Sequence, residues 1–115
     1  MPESEERVAR GLRQWWVKKK LFVWERPLRK ADLAELGDDA PAGPVLAVRV
    51  PDVGARDALI ADSPGVYFTT SHFDGFPAVL VRLDEIEVGE LGEVLDEAWT
   101  CRAPRRLVAQ HRPED

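Results

Sequence analysis

Between Trp15 and Lys30 the chain sets cations among aromatic rings: Trp15, Trp16, Lys18, Lys19, Lys20, Phe22, Trp24, Arg26, Arg29 and Lys30. Lysine and arginine neutralise backbone phosphates and release their counterions, and aromatic rings stack on unpaired bases, so the pattern suits a nucleic-acid contact. Trp16, Lys18, Lys20, Phe22 and Trp24 occupy alternate positions, which would place them on one strand face or along one hairpin. A second basic group, Arg102, Arg105, Arg106 and Arg112, has no acid within it. Folded back beside the aromatic segment, Arg105 and Arg106 would extend the same surface. The competing reading makes Trp15, Trp16 and Trp24 core residues and leaves Lys18 and Lys19 to keep a turn soluble.

Other chemistries lack their parts. His72 and His111 are the only histidines and Cys101 the only thiol. His72 and Asp74 share one side of an extended segment, but a metal site needs a third or fourth ligand, and Asp74-Gly75 reads as a turn. Glu87, Glu90, Glu93, Asp96 and Glu97 could imitate an acidic ridge, but their spacing is equally that of a solvated helix face. There is no Gly-x-Ser-x-Gly elbow and no Gly-rich phosphate loop. Asp52, Asp62, Asp74 and Asp84 stand at helix and turn boundaries, where aspartate caps or turns the backbone. We therefore expect no enzymatic activity, no cofactor and no metal. A small-ligand pocket between sheet and helices, near Trp24, Arg26 and His72, stays open as a further reading.

The elements that must position these residues follow from local pattern. Gln14 to Trp24 reads as a hairpin turning at Lys18-Lys19, with a helix through Val8, Leu12, Trp15 and Trp16 as the alternative. Lys30 to Leu36 is a short helix stopped by Gly37. Val45 to Val50 is the cleanest strand, and Asp52 to Asp62 a helix capped by Asp52. Val66 to Thr70 and Ala78 to Leu83 are strands that pair antiparallel. Leu91, Val94, Leu95, Ala98 and Trp99 mark an amphipathic helix, and a last short helix follows Pro104. The sum is an α+β domain: an antiparallel sheet with helices packed on one face.

The 115 residues are enough for one domain, 1–115, and 44% hydrophobic with 32% charged residues excludes a disordered or fibrous chain. The net charge of −5 argues against broad wrapping of a polyanion. It is, however, an average. Arg7 to Lys30 carries nine basic residues and one acid, whereas residues 32–98 carry three basic and fifteen acidic. One cysteine excludes an internal disulfide, and an acidic start, Met1-Pro2-Glu3-Ser4-Glu5-Glu6, is unlike a signal peptide, so a cytoplasmic location is expected. The apolar run Val45 to Val50 is too short to span a membrane.

In this order, the elements resemble the MmcQ/YjbR family, small bacterial proteins with a fold similar to CyaY/frataxin. The likeness rests on Trp15-x-Val17-x-x-Lys20-x-Phe22-x-Trp24-Glu25-Arg26-Pro27, Lys30-Ala31-Asp32-Leu33, and the strand Val45 to Val50. It continues in Tyr67-Phe68-Thr69-Thr70-x-His72-Phe73-Asp74-Gly75-x-Pro77-Ala78-Val79-Leu80-Val81, Leu83-Asp84, Ala98-Trp99 and Ala103-Pro104. The resemblance implies a CyaY-like fold and DNA binding through hairpins around a basic face. It also implies a leading helix that has no counterpart here, so the expectation is a chain lacking its family's first helix. Residues 1–13 are then poorly ordered or a displaced loop, and the sheet exposes an apolar patch.

The sequence thus predicts a non-enzymatic domain binding DNA through Trp16, Lys18, Lys19, Lys20, Trp24, Arg26, Arg29, Lys30, Arg105 and Arg106. Alternatives are an acidic protein partner, self-association as a monomer in weak equilibrium with a homodimer, or a small ligand. No membrane partner is expected.

Overall fold

The computed structural model describes residues 3–111. Two tight turns open it. Arg10 and Gly11 (φ 54° and 79°) join β1 (Ser4–Ala9) to β2 (Leu12–Val17), and Lys18 and Lys19 (φ 46° and 70°) join β2 to β3 (Lys20–Glu25). Positive φ at both central residues is the type I′ form, whose twist matches that of the strands it connects. The β2–β3 hairpin is the one predicted at Lys18-Lys19, and the helical alternative does not form. Of residues 1–13, expected to be poorly ordered or a displaced loop, 1 and 2 lie outside the described residues and Ser4–Ala9 form a strand: β1 pairs with β2 from Ser4 opposite Val17 to Ala9 opposite Leu12. Charge favours this pairing. Glu3 meets Lys18 and Glu6 meets Arg13 at 3.8 Å across the hairpin, while Glu5 and Arg7 pair at 2.9 Å within β1 itself.

The sheet continues through β4 (Val45–Arg49), β5 (Tyr67–Phe68) and β6 (Ala78–Arg82) in the order β1-β2-β3-β4-β6-β5, every neighbour antiparallel. β5 is shorter than the pattern suggested, because Ser71–Phe73 winds into a single 3-10 turn. Helices α1 (Lys30–Leu36), α2 (Val53–Asp62), α3 (Val88–Arg102) and α4 (Arg105–His111) complete the fold. The Asp52 carboxylate accepts the Ala55 N–H at 2.7 Å and caps α2 as the sequence indicates.

Alternation along the strands builds two cores. Val17, Val23, Leu46, Val48, Val79 and Val81 face Val94, Ala98 and Trp99 of α3 and Leu107 of α4, with Ala55 and Leu59 of α2 packed at the margin. On the opposite face, Val45, Ala47, Phe68, Ala78 and Leu80 are closed over by Phe73 of the 3-10 turn, with Trp24, Leu28 and Leu36 against them. The expected apolar patch is therefore covered: Val45 to Val48 and Ala78 to Val81 are buried throughout. β1 behaves differently, all six of its residues being exposed at a free edge. The radius of gyration is 14.4 Å, against about 13 Å for a compact chain of this length, and the extents are 45 × 33 × 27 Å. No helix among the described residues is long and apolar enough to cross a membrane.

Candidate functional site

A segment that is continuous in sequence is divided in space. Because the chain reverses at Arg10-Gly11 and again at Lys18-Lys19, its cations collect at opposite ends of strands that are six residues and about 20 Å long. Arg10, Arg13, Arg29 and Lys30 go to one end and Lys18, Lys19 and Lys20 to the other.

At the lysine end, the Arg102 side chain donates from Nε to the Leu21 carbonyl at 3.3 Å. That bond ties the C-terminus of α3 to the start of β3. Arg105 and Arg106 follow within three or four residues, both exposed at the head of α4, so at most about 15 Å of chain separates them from Arg102. Lys18, Lys19, Lys20, Arg105 and Arg106, five of the ten predicted nucleic-acid residues, are thus brought to one end of the molecule. Arg49 was missed by sequence reasoning. It ends β4 at this same end, its guanidinium 4.8 Å from the Phe76 ring centre and its Nε donating to the Pro77 carbonyl at 3.1 Å. Burial and then the positive charge of Arg102 hold its pKa below the ordinary arginine value. Its only sequence signal was a charge at the end of an apolar strand.

Of the other predicted residues only Trp16, opposite Leu21 in the β2–β3 register, lies near this end. Trp16 is half-buried, 4.6 Å beneath the Arg7 guanidinium, and its Nε1 donates to Gln14 Oε1 at 3.2 Å. Trp15 packs against the helix-side core. Phe22 is buried there too, together with its neighbour Val23, since the β2–β3 register shifts between Trp15 and Trp16. Trp24 sits on the opposite face, its ring centroid 6.5 Å from that of Phe73. The alternating set Trp16, Lys18, Lys20, Phe22 and Trp24 therefore shares no single face. Arg26 must also be withdrawn from the nucleic-acid surface, because it is 7% exposed and paired with buried Asp32 at 3.1 Å. Arg29 and Lys30 are exposed, but at the far end of the strands from Lys18.

Trp24, Arg26 and His72 do converge, on one concavity of about 490 Å³ shared with Phe73, Leu12 and Gln14. His72 is exposed and meets the Phe73 ring edge-on at 5.0 Å. Burial raises the Asp32 carboxyl, but the Arg29 N–H, donating to it at 2.9 Å, and the Arg26 charge outweigh that and leave it below its ordinary 3.8. Across the molecule, Glu90 of the acidic helix face is engaged: it accepts the Tyr67 hydroxyl at 2.5 Å. Cys101 is half-buried, its thiol bonded to the Ala98 carbonyl and pushed above the ordinary 9.0 by burial. A thiol so placed is a poor nucleophile. Among the described residues no three His, Cys, Asp or Glu side chains are grouped to hold a metal ion.

An uncharacterised protein of Mycobacterium tuberculosis is 59% identical over 97 residues, covering 82% of this chain and 75% of its own length. One from Mycobacterium bovis matches to the same extent. No solved structure gives a significant match, so the likeness to CyaY rests on the sequence resemblance alone. The YjbR family model matches residues 1–101, and the chain belongs to the YjbR family.

Proposed function

We propose that this protein is a non-enzymatic, cytoplasmic nucleic-acid-binding protein that grips the phosphate backbone, most naturally of duplex DNA, at the lysine end of its sheet. The observation that supports this is the Arg102–Leu21 contact, which brings the end of α3, three residues before Arg105, to the strand that begins at Lys20. Lys18, Lys19, Lys20, Arg105 and Arg106 are then available to one run of phosphates. The aromatic rings contribute little to such a grip. Trp16 lies under Arg7, Phe22 is buried and Trp24 is on another surface, so the contact reads phosphates and not bases. Fluorescence anisotropy with a labelled duplex tests the reading. K18E/K19E/K20E and R105E/R106E should each weaken binding at least tenfold, while R29E/K30E, at the other end, should leave it within twofold. Equal effects at the two ends, or none at either, would refute it.

The exposed edge of β1 favours a second reading, self-association or pairing with an acidic protein. Charge-driven self-association weakens as salt rises, so light scattering at low and high salt separates the two.

A further inference from the structure

The concavity around Trp24 is remote from the lysine end and has a chemistry of its own. Its volume, about 490 Å³, lies within the range of small-molecule sites. Trp24 and Phe73, their rings tilted at 42°, form one wall, and Leu12, Pro27 and Leu28 extend the apolar lining. Into this surface is set Arg26, more than nine-tenths buried, with its guanidinium 5.4 Å from the Phe73 ring centre. Nη1 donates to the Pro27 carbonyl. Nη2 lies 3.1 Å from Asp32 Oδ2 but off the hydrogen-bonding axis, and finds no acceptor among the described residues. Buried donors of this kind nearly always have a partner, and a planar guanidinium matches a planar carboxylate.

Charge narrows the choice. Arg10, Arg26 and Arg29 line the concavity against Glu25, with Asp32 behind Arg26, which leaves one net positive charge. One charge suits a carboxylate better than a phosphate monoester, which carries about −1.5 to −2. We propose that this concavity binds a small aromatic carboxylate, its ring laid against Trp24 and Phe73 and its acid group at Arg26 with Arg29 at the rim. The site shares no residue with the lysine end, so it stands whether or not nucleic acid binds there.

The probe is 2-naphthoate, titrated into the full chain and followed by calorimetry and by the indole N–H resonance of Trp24. A dissociation constant of about 1 mM or tighter is expected for a ligand of this size in a fitting site. The neutral 2-naphthamide should bind at least tenfold more weakly. Trp24→Ala should weaken 2-naphthoate at least tenfold, and Arg29→Gln, an exposed change that spares the core, at least threefold. K18E/K19E/K20E should leave it unchanged. The proposal is overturned if the acid and the amide bind alike, if Arg29→Gln binds as the parent does, or if the Trp24 indole does not move at about 5 mM probe.

Discussion

Asp32 is the side chain on which the Arg26 neighbourhood depends. It is 4% exposed, accepts the Arg29 N–H and faces Arg26, so its removal leaves a buried guanidinium without its counter-charge. Asp32→Ala is expected to cost about 3–5 kcal/mol in urea unfolding, the usual penalty for breaking a buried pair from one side. The folded-state pKa lies below the unfolded 3.8. Its contribution is therefore complete above about pH 4 and is lost as pH falls through the folded value; Asp32→Asn should flatten that acid limb. Tyr67 runs the other way. Burial first, then its bond to Glu90, raise the hydroxyl well above the ordinary 10.0. Its stabilisation is intact below pH 10 and is lost as pH climbs beyond it. Tyr67→Phe should cost about 1 kcal/mol at neutral pH and remove the steeper loss above pH 10 seen in thermal melts of the parent.

The Lys18-Lys19 turn is where element geometry and residue type conflict. Both lysines hold positive φ, a region that asparagine and glycine enter at far lower cost. Lys18→Asn with Lys19→Gly should stabilise the fold by about 1–2 kcal/mol, less whatever the exposed Lys18–Glu3 pair contributes, at most about 1 kcal/mol. The melting temperature should rise by a few degrees. The same variant should bind nucleic acid more weakly, so stability and affinity move in opposite directions. A melt that falls would show that the turn is not strained as described. β4 was legible as an unbroken apolar run, α2 from its Asp52 cap, and α3 because its apolar residues repeat with the period of a helix. β1 was not, since Ser4–Ala9 has almost no apolar alternation and is held by pairing with β2 and by ion pairs to residues beyond it.

For the molecule as a whole, the net charge of −5 matters less than its distribution. If binding is confined to Lys18, Lys19, Lys20, Arg105 and Arg106, log K for duplex DNA should fall with log salt with a slope of about −4 to −5, at roughly 0.9 per phosphate. A slope near −8 would mean that the Arg10 and Arg29 end binds as well. Lys18→Asn with Lys19→Gly should lower the slope by about 2. The acids of residues 32–98 oppose any wider contact.

Sequence alone determined the family, the α+β class, the Lys18-Lys19 hairpin and the basic, aromatic character of Trp15 to Lys30, because periodicity, turn chemistry and composition are local properties. It also left open a small-ligand pocket near Trp24, Arg26 and His72, three residues that line one concavity. Only the tertiary structure decided that the basic segment is two surfaces and not one. An antiparallel turn sends cations six residues apart to opposite ends of a strand, and a bond such as Arg102 to Leu21 joins residues that no local pattern relates. The same long-range packing took Arg26 and Phe22 out of solvent, a decision that rests on Asp32 and on the register of β2 against β3 and not on either residue's type.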